Sequence, residues 1–316
     1  MKIGAGFVLI ASLLTFVCGK GVASTPAVPD ETAGYRAVIG DEDGFVAAGS
    51  DGVYYLTPTG EVVRSVTFSD VTLNCLIFCG ETLLAAGDRG VLLIAPKGEE
   101  PQQVESGTTA NIRCLTLFQG YVVAGTDGGT VLIGDQAGFF EGVTLALKGN
   151  IVSLSGGALG CYGVTDRGEI IRSDDLVNWD ILDFNAFYNG YYPPRRFTGV
   201  WVADRQVAVA GVSEQGAPVL SLSSGGSVWT ERSLDYTDSR GMPALLQEAP
   251  RAIIYEAARE RFLLACDRGT VMSVPSCSHC NERFDLPTDN ALKALTQHNG
   301  TILLVGDNHT ALPFRF

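Results

Sequence analysis

One pattern of apolar and polar positions recurs along the chain. A short apolar strand ends at a glycine or another small residue, a polar turn follows, and a second apolar strand begins. Residues 45–49 with the turn 50–52 form the first copy, and residues 83–87 with the turn 88–90 form the second. The copies are centred on Gly49, Gly87, Gly125, Gly163, Gly211, Cys266 and Gly306. Their intervals of 38, 38, 38, 48, 55 and 40 residues indicate seven repeat units.

A period near 40 residues with four short strands per unit is typical of a propeller blade. In the second unit we predict inner strand A at 74–78, strand B at 82–87, strand C at 91–95 and a polar outer strand D at 102–105. The continuous apolar character of the first three strands indicates burial between neighbouring blades. The only helix predicted is a turn or two around 244–248. The sequence therefore predicts an all-β, seven-bladed β-propeller of four-stranded blades.

The seventh unit is incomplete, because the sequence reaches only its strand C at Phe316. An unpaired strand edge invites aggregation. Residues 27–33 precede the first inner strand, and we predict that they supply the missing outer strand and close the ring. Pro26 and Pro29 are tolerated only on an edge strand. The outermost strand of a blade is an edge strand.

The first residues have the pattern of a targeting segment. A basic start and a short uncharged apolar stretch precede Val22 and Ser24, which occupy the −3 and −1 positions of a cleavage site. We predict a signal peptide at 1–24, a single propeller domain at 25–316, and export to a periplasmic, cell-envelope or extracellular location. The alternative is a lipid anchor at Cys18, which the two bulky residues before it disfavour.

Composition narrows the choice of partner. A hydrophobic fraction of 46% with only 18% charged residues excludes a disordered chain. The chain has 22 Lys and Arg against 35 Asp and Glu, a net charge of −13, which argues against nucleic acid or an anionic membrane as the partner. The 38 glycines are consistent with many tight turns.

Two predicted turns between strands C and D share a pattern of serine and tryptophan. They span residues 173–179 (Ser-Asp-Asp-Leu-Val-Asn-Trp) and 223–229 (Ser-Ser-Gly-Gly-Ser-Val-Trp). Both resemble the Asp-box, or bacterial neuraminidase repeat, although each is one residue short and the second lacks the aspartate. With the glycine-rich turns, the chain is similar to secreted propellers of the photosystem II stability/assembly factor type. The resemblance implies a propeller and assigns no activity.

The Asp-box resemblance raises a glycan-active hydrolase, similar to a sialidase, as the alternative function, with its site at the channel mouth. Such enzymes use a tyrosine and glutamate pair, and Tyr255 and Glu256 are present here. Adjacent residues on a strand point to opposite faces, so an ordinary inner strand of the sixth blade is the favoured interpretation. We assign no catalytic residue and leave the question of enzyme activity open, with a non-enzymatic role favoured.

The cysteines favour a structural role. Cys277 and Cys280 are separated by two residues, and in an exported protein we predict a disulfide between them. A redox centre and half of a zinc site are the alternatives, but no second Cys or His pair lies at ligand spacing. Cys75, Cys79, Cys114, Cys161 and Cys266 lie in apolar strands and are predicted to be core residues. No metal and no cofactor are predicted.

Two inserts mark the candidate binding surface. The long intervals after the fourth and fifth units place extra residues between an outer strand and the next inner strand, on the face where the B–C turns also emerge. Aromatic side chains and arginine are favoured at binding hot spots. The predicted partner-binding residues are Tyr188, Tyr191, Tyr192, Arg195, Arg196, Tyr236 and Arg240. Packing of the insert's aromatic side chains over the channel mouth or a blade seam is the equal alternative. We therefore expect an exported monomeric module that binds a protein or carbohydrate partner.

Overall fold

The computed structural model describes residues 33–276 and 280–316, apart from the side chain of Phe140. Ala33–Phe316 form one compact unit of antiparallel β-sheets. The signal peptide predicted at 1–24, most of the closing strand predicted at 27–33, and Cys277 lie outside the described residues.

Six blades have four strands each, paired in chain order from the inside outwards. Blade 1 holds β1 (Tyr35–Asp41), β2 (Gly44–Gly49), β3 (Gly52–Leu56) and β4 (Val62–Thr67), and blade 2 holds β5 (Leu73–Cys79), β6 (Thr82–Gly87), β7 (Leu92–Ala95) and β8 (Gln102–Val104). Blade 3 holds β9 (Ile112–Phe118), β10 (Tyr121–Thr126), β11 (Thr130–Asp135) and β12 (Gly138–Thr144). Blade 4 holds β13 (Ile151–Gly157), β14 (Gly160–Thr165), β15 (Glu169–Ser173) and β16 (Asp180–Asp183).

The remaining blades follow the same order. Blade 5 holds β17 (Arg195–Val202), β18 (Val207–Ser213), β19 (Pro218–Ser223) and β20 (Thr230–Glu231). Blade 6 holds β23 (Pro250–Glu256), β24 (Arg261–Cys266), β25 (Thr270–Pro275) and β26 (Glu282–Asp285). Blade 7 holds β27 (Leu292–His298), β28 (Thr301–Gly306) and β29 (Thr310–Phe314) within the described residues. The predicted seven-bladed, all-β architecture is confirmed.

Seven hydrophobic clusters hold the blades together, one at each seam between neighbours. Each middle strand serves two seams because its side chains alternate between its faces. On β2, Val46 and Ala48 pack toward blade 2, whereas Phe45 and Ala47 pack toward Leu303 of blade 7. The continuous apolar strands of the repeat are therefore the core itself, as the sequence predicted.

The ring closes where blade 7 meets blade 1. The first strand of each blade contacts the first strands of both its neighbours, and β1 and β27 make this contact across the closure. Gly34 forms an antiparallel bridge with Asp307, and the backbone N–H of Asn308 donates to the carbonyl of Ala33 at 2.7 Å. Residues 27–32 lie outside the described residues, so the outer strand assigned to 27–33 stays a prediction.

Two inserts interrupt the repeat at the predicted places. The first carries a single helical turn, α1 (Phe184–Phe187), between β16 and β17. The second is a hairpin of β21 (Asp235–Thr237) and β22 (Pro243–Leu245) between β20 and β23. The helix predicted around 244–248 is wrong, because Ala244 pairs with Tyr236 in this hairpin and strand pairing overrides the helix propensity of Ala-Leu-Leu.

Candidate binding face

The B–C turns and the D–A connections meet on one face of the ring, called here the insert face. In blade 2 the backbone N–H of Asp88, in the B–C turn, donates to the carbonyl of Thr72, just before strand A, at 2.9 Å. Every blade repeats this bond. The other six pairs are Ser50 with Gly34, Asp127 with Asn111, Asp166 with Asn150, Glu214 with Pro194, Asp267 with Ala249, and Asp307 with Ala291. The insert face thus has a fixed backbone frame.

A β-bulge near the start of every inner strand, at the second position in six blades and at the fourth position in blade 5, adds a ring of side chains to this face. The extra residues at the seven register shifts are Arg36, Asn74, Arg113, Val152, Thr198, Arg251 and Lys293. Four of the seven are basic in a chain with a net charge of −13. We did not predict this ring, although the signal is present in the sequence as a basic residue recurring one position after the start of strand A.

Three of the four basic residues of this ring, Arg113, Arg251 and Lys293, form ion pairs with aspartates of the B–C turns. Arg113 donates through Nε and Nη2 to both carboxylate oxygens of Asp127, at 2.8 and 2.9 Å, and Arg251 holds Asp267 in the same way at 2.7 Å for both bonds. Burial alone would raise the pKa of Asp127, but the hydrogen bonds and charge of Arg113, with a hydrogen bond from Asn111, bring it below its usual value. A carboxylate held as an anion in this way is not suited to be the general acid of a hydrolase.

Much of the first insert is packed against the seam between blades 4 and 5. Arg195 is 1% exposed, and its Nη2 lies 2.9 Å from the Glu231 carboxylate while its Nη1 donates to Ser221 at 3.0 Å. Its guanidinium also lies 4.8 Å from the ring centroids of both Phe184 and Tyr192. Arg195 is therefore a buried structural residue, although the sequence placed it on the binding surface.

Tyr188 has a similar place in the seam. Its hydroxyl accepts a hydrogen bond from the backbone N–H of Trp229 at 2.9 Å, and its ring packs 4.5 Å from Phe184. Tyr192 stacks on Phe184 at 6.1 Å and, like Tyr188, is half-buried. The alternative of seam packing thus describes these two tyrosines, and partner contact by their exposed edges stays a prediction.

The other half of the first insert faces solvent. Tyr191 is 83% exposed, Phe187 is 65% exposed, and Arg196 is exposed. Phe187 was not among the predicted binding residues, although its place in the aromatic insert was the available signal. Large apolar side chains that remain exposed side by side commonly mark an interaction surface.

The second insert presents a smaller exposed set. Met242 and Leu245 are each 60% exposed, and Arg240 is exposed at the hairpin tip. Tyr236 is half-buried, and its hydroxyl accepts a hydrogen bond from Nη1 of Arg283 at 3.2 Å. The hairpin is tied to blade 6 by Asn281, whose Nδ2 donates to the carbonyls of Ser233 and Asp235; these two bonds measure 2.9 and 2.8 Å. The hairpin therefore projects from a fixed base.

The opposite face carries the two serine–tryptophan turns. Ser173 Oγ accepts hydrogen bonds from the backbone N–H groups of Asp175 and Leu176. Asp175 Oδ1 accepts hydrogen bonds from those of Val177 and Asn178. The second turn has the same serine bonds, from Gly225 and Gly226 to Ser223 Oγ. In both turns the indole N–H donates back to the turn, from Trp179 to Leu176 at 3.2 Å and from Trp229 to Gly226 at 3.1 Å. These side chains satisfy turn backbone groups, a structural role.

This opposite face also holds an acidic cavity of about 330 Å³ between blades 1 and 2. Tyr55 and Phe78 line it, and Lys97 bridges Glu42 and Glu81 at 2.7 and 3.0 Å on its rim. The single lysine thus joins the A–B turns of two neighbouring blades. Carboxylates predominate here, in contrast to the bulge ring of the insert face.

The described cysteines include four in the core. Cys75, Cys114, Cys161 and Cys266 are buried, as predicted, whereas Cys79 is only partly buried at the edge of the core. Burial raises the pKa of each of the four buried thiols, to about 12 for Cys161. A thiol with a raised pKa is a poor nucleophile at neutral pH. Cys280 is exposed, whereas Cys277 lies outside the described residues, so the disulfide between them stays a prediction.

Tyr255 and Glu256 are part of inner strand β23. Glu256 is 1% exposed and accepts from Nε of Arg261 at 2.7 Å, while the Tyr255 ring packs 4.9 Å from Phe262. Both side chains have structural partners. Within residues 33–276 and 280–316 no group of three or more His, Cys, Asp or Glu side chains is placed to hold a metal ion, and no helix is long and apolar enough to cross a membrane.

Comparison with known proteins finds similarity of fold but not of sequence. No protein-family model and no curated protein sequence matches the chain. Among solved structures, the WD40 β-propeller domain of Doa1 is similar with a TM-score of 0.66 and 14% identity, covering 90% of this chain and 93% of that domain. The Neurospora crassa Pan2 WD40 domain is similar with a TM-score of 0.67 and 8% identity, covering 92% of this chain and 91% of the other. The computationally designed protein Ika8 has a TM-score of 0.59 and 11% identity, covering 90% and 97%. At these identities the likeness shows a WD40-like propeller scaffold.

Proposed function

We propose that the chain is an exported binding module that captures a protein partner on its insert face. The observation that carries the proposal is the exposure of Phe187, Tyr191, Met242 and Leu245, all of which belong to the two inserts and none to the repeat. An apolar set of this kind costs solubility unless a partner covers it. The insert residues that are packed, such as Arg195, support this surface from below.

Export and the Asp-box assignment belong to the same proposal. The signal pattern at 1–24 supports export, and the serine, aspartate and indole hydrogen bonds of the turns at 173–179 and 223–229 support an Asp-box relationship. The test of export is the N-terminal residue of the protein recovered from the medium or the periplasm. We expect Thr25, whereas an unprocessed Met1 or a lipidated Cys18 would contradict the proposal.

The binding test uses two matched double variants. Phe187→Ser with Tyr191→Ser removes exposed aromatic surface from the insert, and Val62→Ser with Val63→Ser removes exposed apolar surface from outer strand β4 of blade 1, where these valines are 52% and 70% exposed. Each purified protein is immobilised and challenged with envelope or medium extract of the source organism, and bound proteins are identified by mass spectrometry. We expect a partner retained by the wild type and by the β4 variant and lost by the insert variant.

Equal retention by all three proteins would contradict the proposal. Melting temperatures of both variants are expected to stay near that of the wild type, because each replaced side chain is exposed. A glycan array with the same three proteins tests the carbohydrate alternative. A glycan signal that depends on Phe187 and Tyr191, with no protein captured, would assign the insert face to glycan instead.

A further inference from the structure

A basic cleft of about 810 Å³ lies on the insert face between blades 4 and 5. Its lining includes four basic side chains, Lys148, Arg167, Arg195 and Arg196, and only two carboxylates, Asp183 and Glu214. The chain as a whole has 35 acidic against 22 basic residues. The cleft therefore has a local excess of positive charge in an acidic protein.

Two of the four guanidinium and ammonium groups already have partners. Arg195 is bonded to Glu231, and Lys148 donates to Asp183. The hydrogen bond and charge of Asp183 raise the pKa of Lys148. Asp183 is thereby neutralised within the cleft and does not offset the charges of the other two arginines.

Arg167 and Arg196 are exposed, and their guanidinium groups make no hydrogen bond or ion pair with any residue of the described ranges. In contrast, Arg113, Arg251 and Arg283 are each held by a carboxylate at 3.0 Å or less. Arg167 comes from the B–C turn of blade 4, and Arg196 comes from the start of β17 in blade 5. The cleft thus brings two free planar donors together from different blades.

Asn185 fixes the backbone segments that carry these two arginines. Its Nδ2 donates to the carbonyls of Arg167 and Arg195, both at 3.0 Å, and its Oδ1 accepts the N–H of Arg195 at 2.9 Å. Gly168 has φ +82°, and a Cβ there would lie 2.3 Å from the Asn185 amide nitrogen, so glycine is needed for this approach. The separation of the arginine-bearing segments is therefore set before any ligand binds, which lowers the entropic cost of binding.

We infer that this cleft binds an acidic segment of the protein partner, with Arg167 and Arg196 as forks for Asp or Glu carboxylates. Guanidinium matches a carboxylate through two parallel hydrogen bonds. The volume of the cleft exceeds that of a single small anion. Ala186, in the lining of the cleft, is followed directly by the exposed Phe187. The cleft therefore suits a peptide with carboxylates beside apolar side chains. The inference rests on the proposed function and names the chemistry of its partner.

The probe is the peptide acetyl-tetraglutamate, titrated at low ionic strength into the purified chain and followed by amide chemical shifts. We expect each of the substitutions Arg167→Gln and Arg196→Gln to weaken peptide binding about tenfold, because each removes one charge-assisted bidentate contact. Arg268→Gln is the matched control, because Arg268 occupies the same Asp-Arg-Gly turn in blade 6 on the same face. It is expected to leave the affinity unchanged. Shifted resonances should include Asn185 and Gly168.

Equal weakening by Arg268→Gln, or equal binding of acetyl-tetraglutamine, would overturn the inference. Binding of a phosphoserine peptide about tenfold tighter than tetraglutamate would overturn the choice of carboxylate and make the cleft a phosphate site. The variant with Phe187→Ser and Tyr191→Ser should still bind tetraglutamate while losing the partner. If tetraglutamate fails to bind but the partner is still captured through the aromatic residues, this inference alone is wrong. If tetraglutamate binds and no partner is captured, only the proposed function fails.

Discussion

The guanidinium of Arg195 is buried and bonded to the carboxylate of Glu231 at 2.9 Å, whereas the neighbouring Arg196 is exposed. Two adjacent residues of one strand thus have different roles. Arg195 joins the first insert to blade 5, and Arg196 faces the cleft. Substituting each of these two arginines in turn therefore tests the structure directly.

We expect Arg195→Leu to lower the free energy of unfolding by roughly 2–3 kcal/mol, because it removes charged hydrogen bonds and leaves Glu231 without its partner. The value is below that of a fully buried pair, since the Glu231 side chain is 40% exposed. Arg196→Leu is the control and should change stability by less than about 0.5 kcal/mol. Urea unfolding of both variants is the measurement. Equal losses would show that the burial of Arg195 does not support the seam.

The turn at 173–179 should have a specific pH dependence. Hydrogen bonds from the backbone and side chain of Asn178 and from the backbone of Val177 lower the pKa of Asp175 to about 2. The folded value lies below the ordinary value of about 3.9, so the turn is stabilised above about pH 4 and loses this stabilisation as the pH falls through 2.

The carboxyl carbon resonance of Asp175 measures this titration directly. In the folded protein it should begin to shift only below about pH 3. Asn178→Ala removes the side-chain bond and should move the titration to higher pH, toward the ordinary range. A wild-type midpoint near 4 would show that these hydrogen bonds do not form in solution.

Closure of the ring is predicted to depend on residues 27–33. Deleting them should lower the melting temperature sharply, because the edge of β29 would then be unpaired. A variant in which the seven residues are replaced by a Gly-Ser sequence of equal length separates the loss of a strand from the loss of chain. Thermal unfolding that is unchanged in both variants would show that the seam of Phe45, Ala47 and Leu303 closes the ring without an outer strand.

Cys277 and Cys280 are predicted to form a disulfide in the exported protein. Peptide mass mapping without reduction should find the two residues in a linked peptide, and reduction should cost only modest stability because the closed loop is short. Recovery of both thiols free from an oxidising compartment would refute the pairing.

The fold was predictable because the sequence of each repeat unit by itself indicates the strands of one blade. Each apolar strand of the pattern fills two seams, so strand bounds such as Thr82–Gly87 and the seven blades follow from the continuous apolar runs and their period alone. The 244–248 segment was mispredicted because its strand pairing comes from a hairpin partner eight residues away and not from its own composition.

The candidate site was less predictable because it depends on which insert side chains turn inwards. Composition identified the aromatic insert, but the burial of Arg195 and the half-burial of Tyr192 depend on the space beside Glu231, which the sequence does not show. The placement of Arg167 and Arg196 on one cleft depends on Asn185, which donates to the carbonyls of Arg167 and Arg195 in segments that only the tertiary structure brings together.

The backbone hydrogen bond between each B–C turn and its D–A connection keeps the geometry of the blade independent of the length of the connection. It forms from Asp88 to Thr72 where the connection is short, and again from Glu214 to Pro194 and from Asp267 to Ala249, where the inserts precede it. Residues can therefore be added upstream of this anchor without displacing the inner strand. Each of the short connections is, on this basis, a site at which a foreign recognition loop could be grafted, and the propeller becomes a scaffold whose specificity is exchangeable blade by blade.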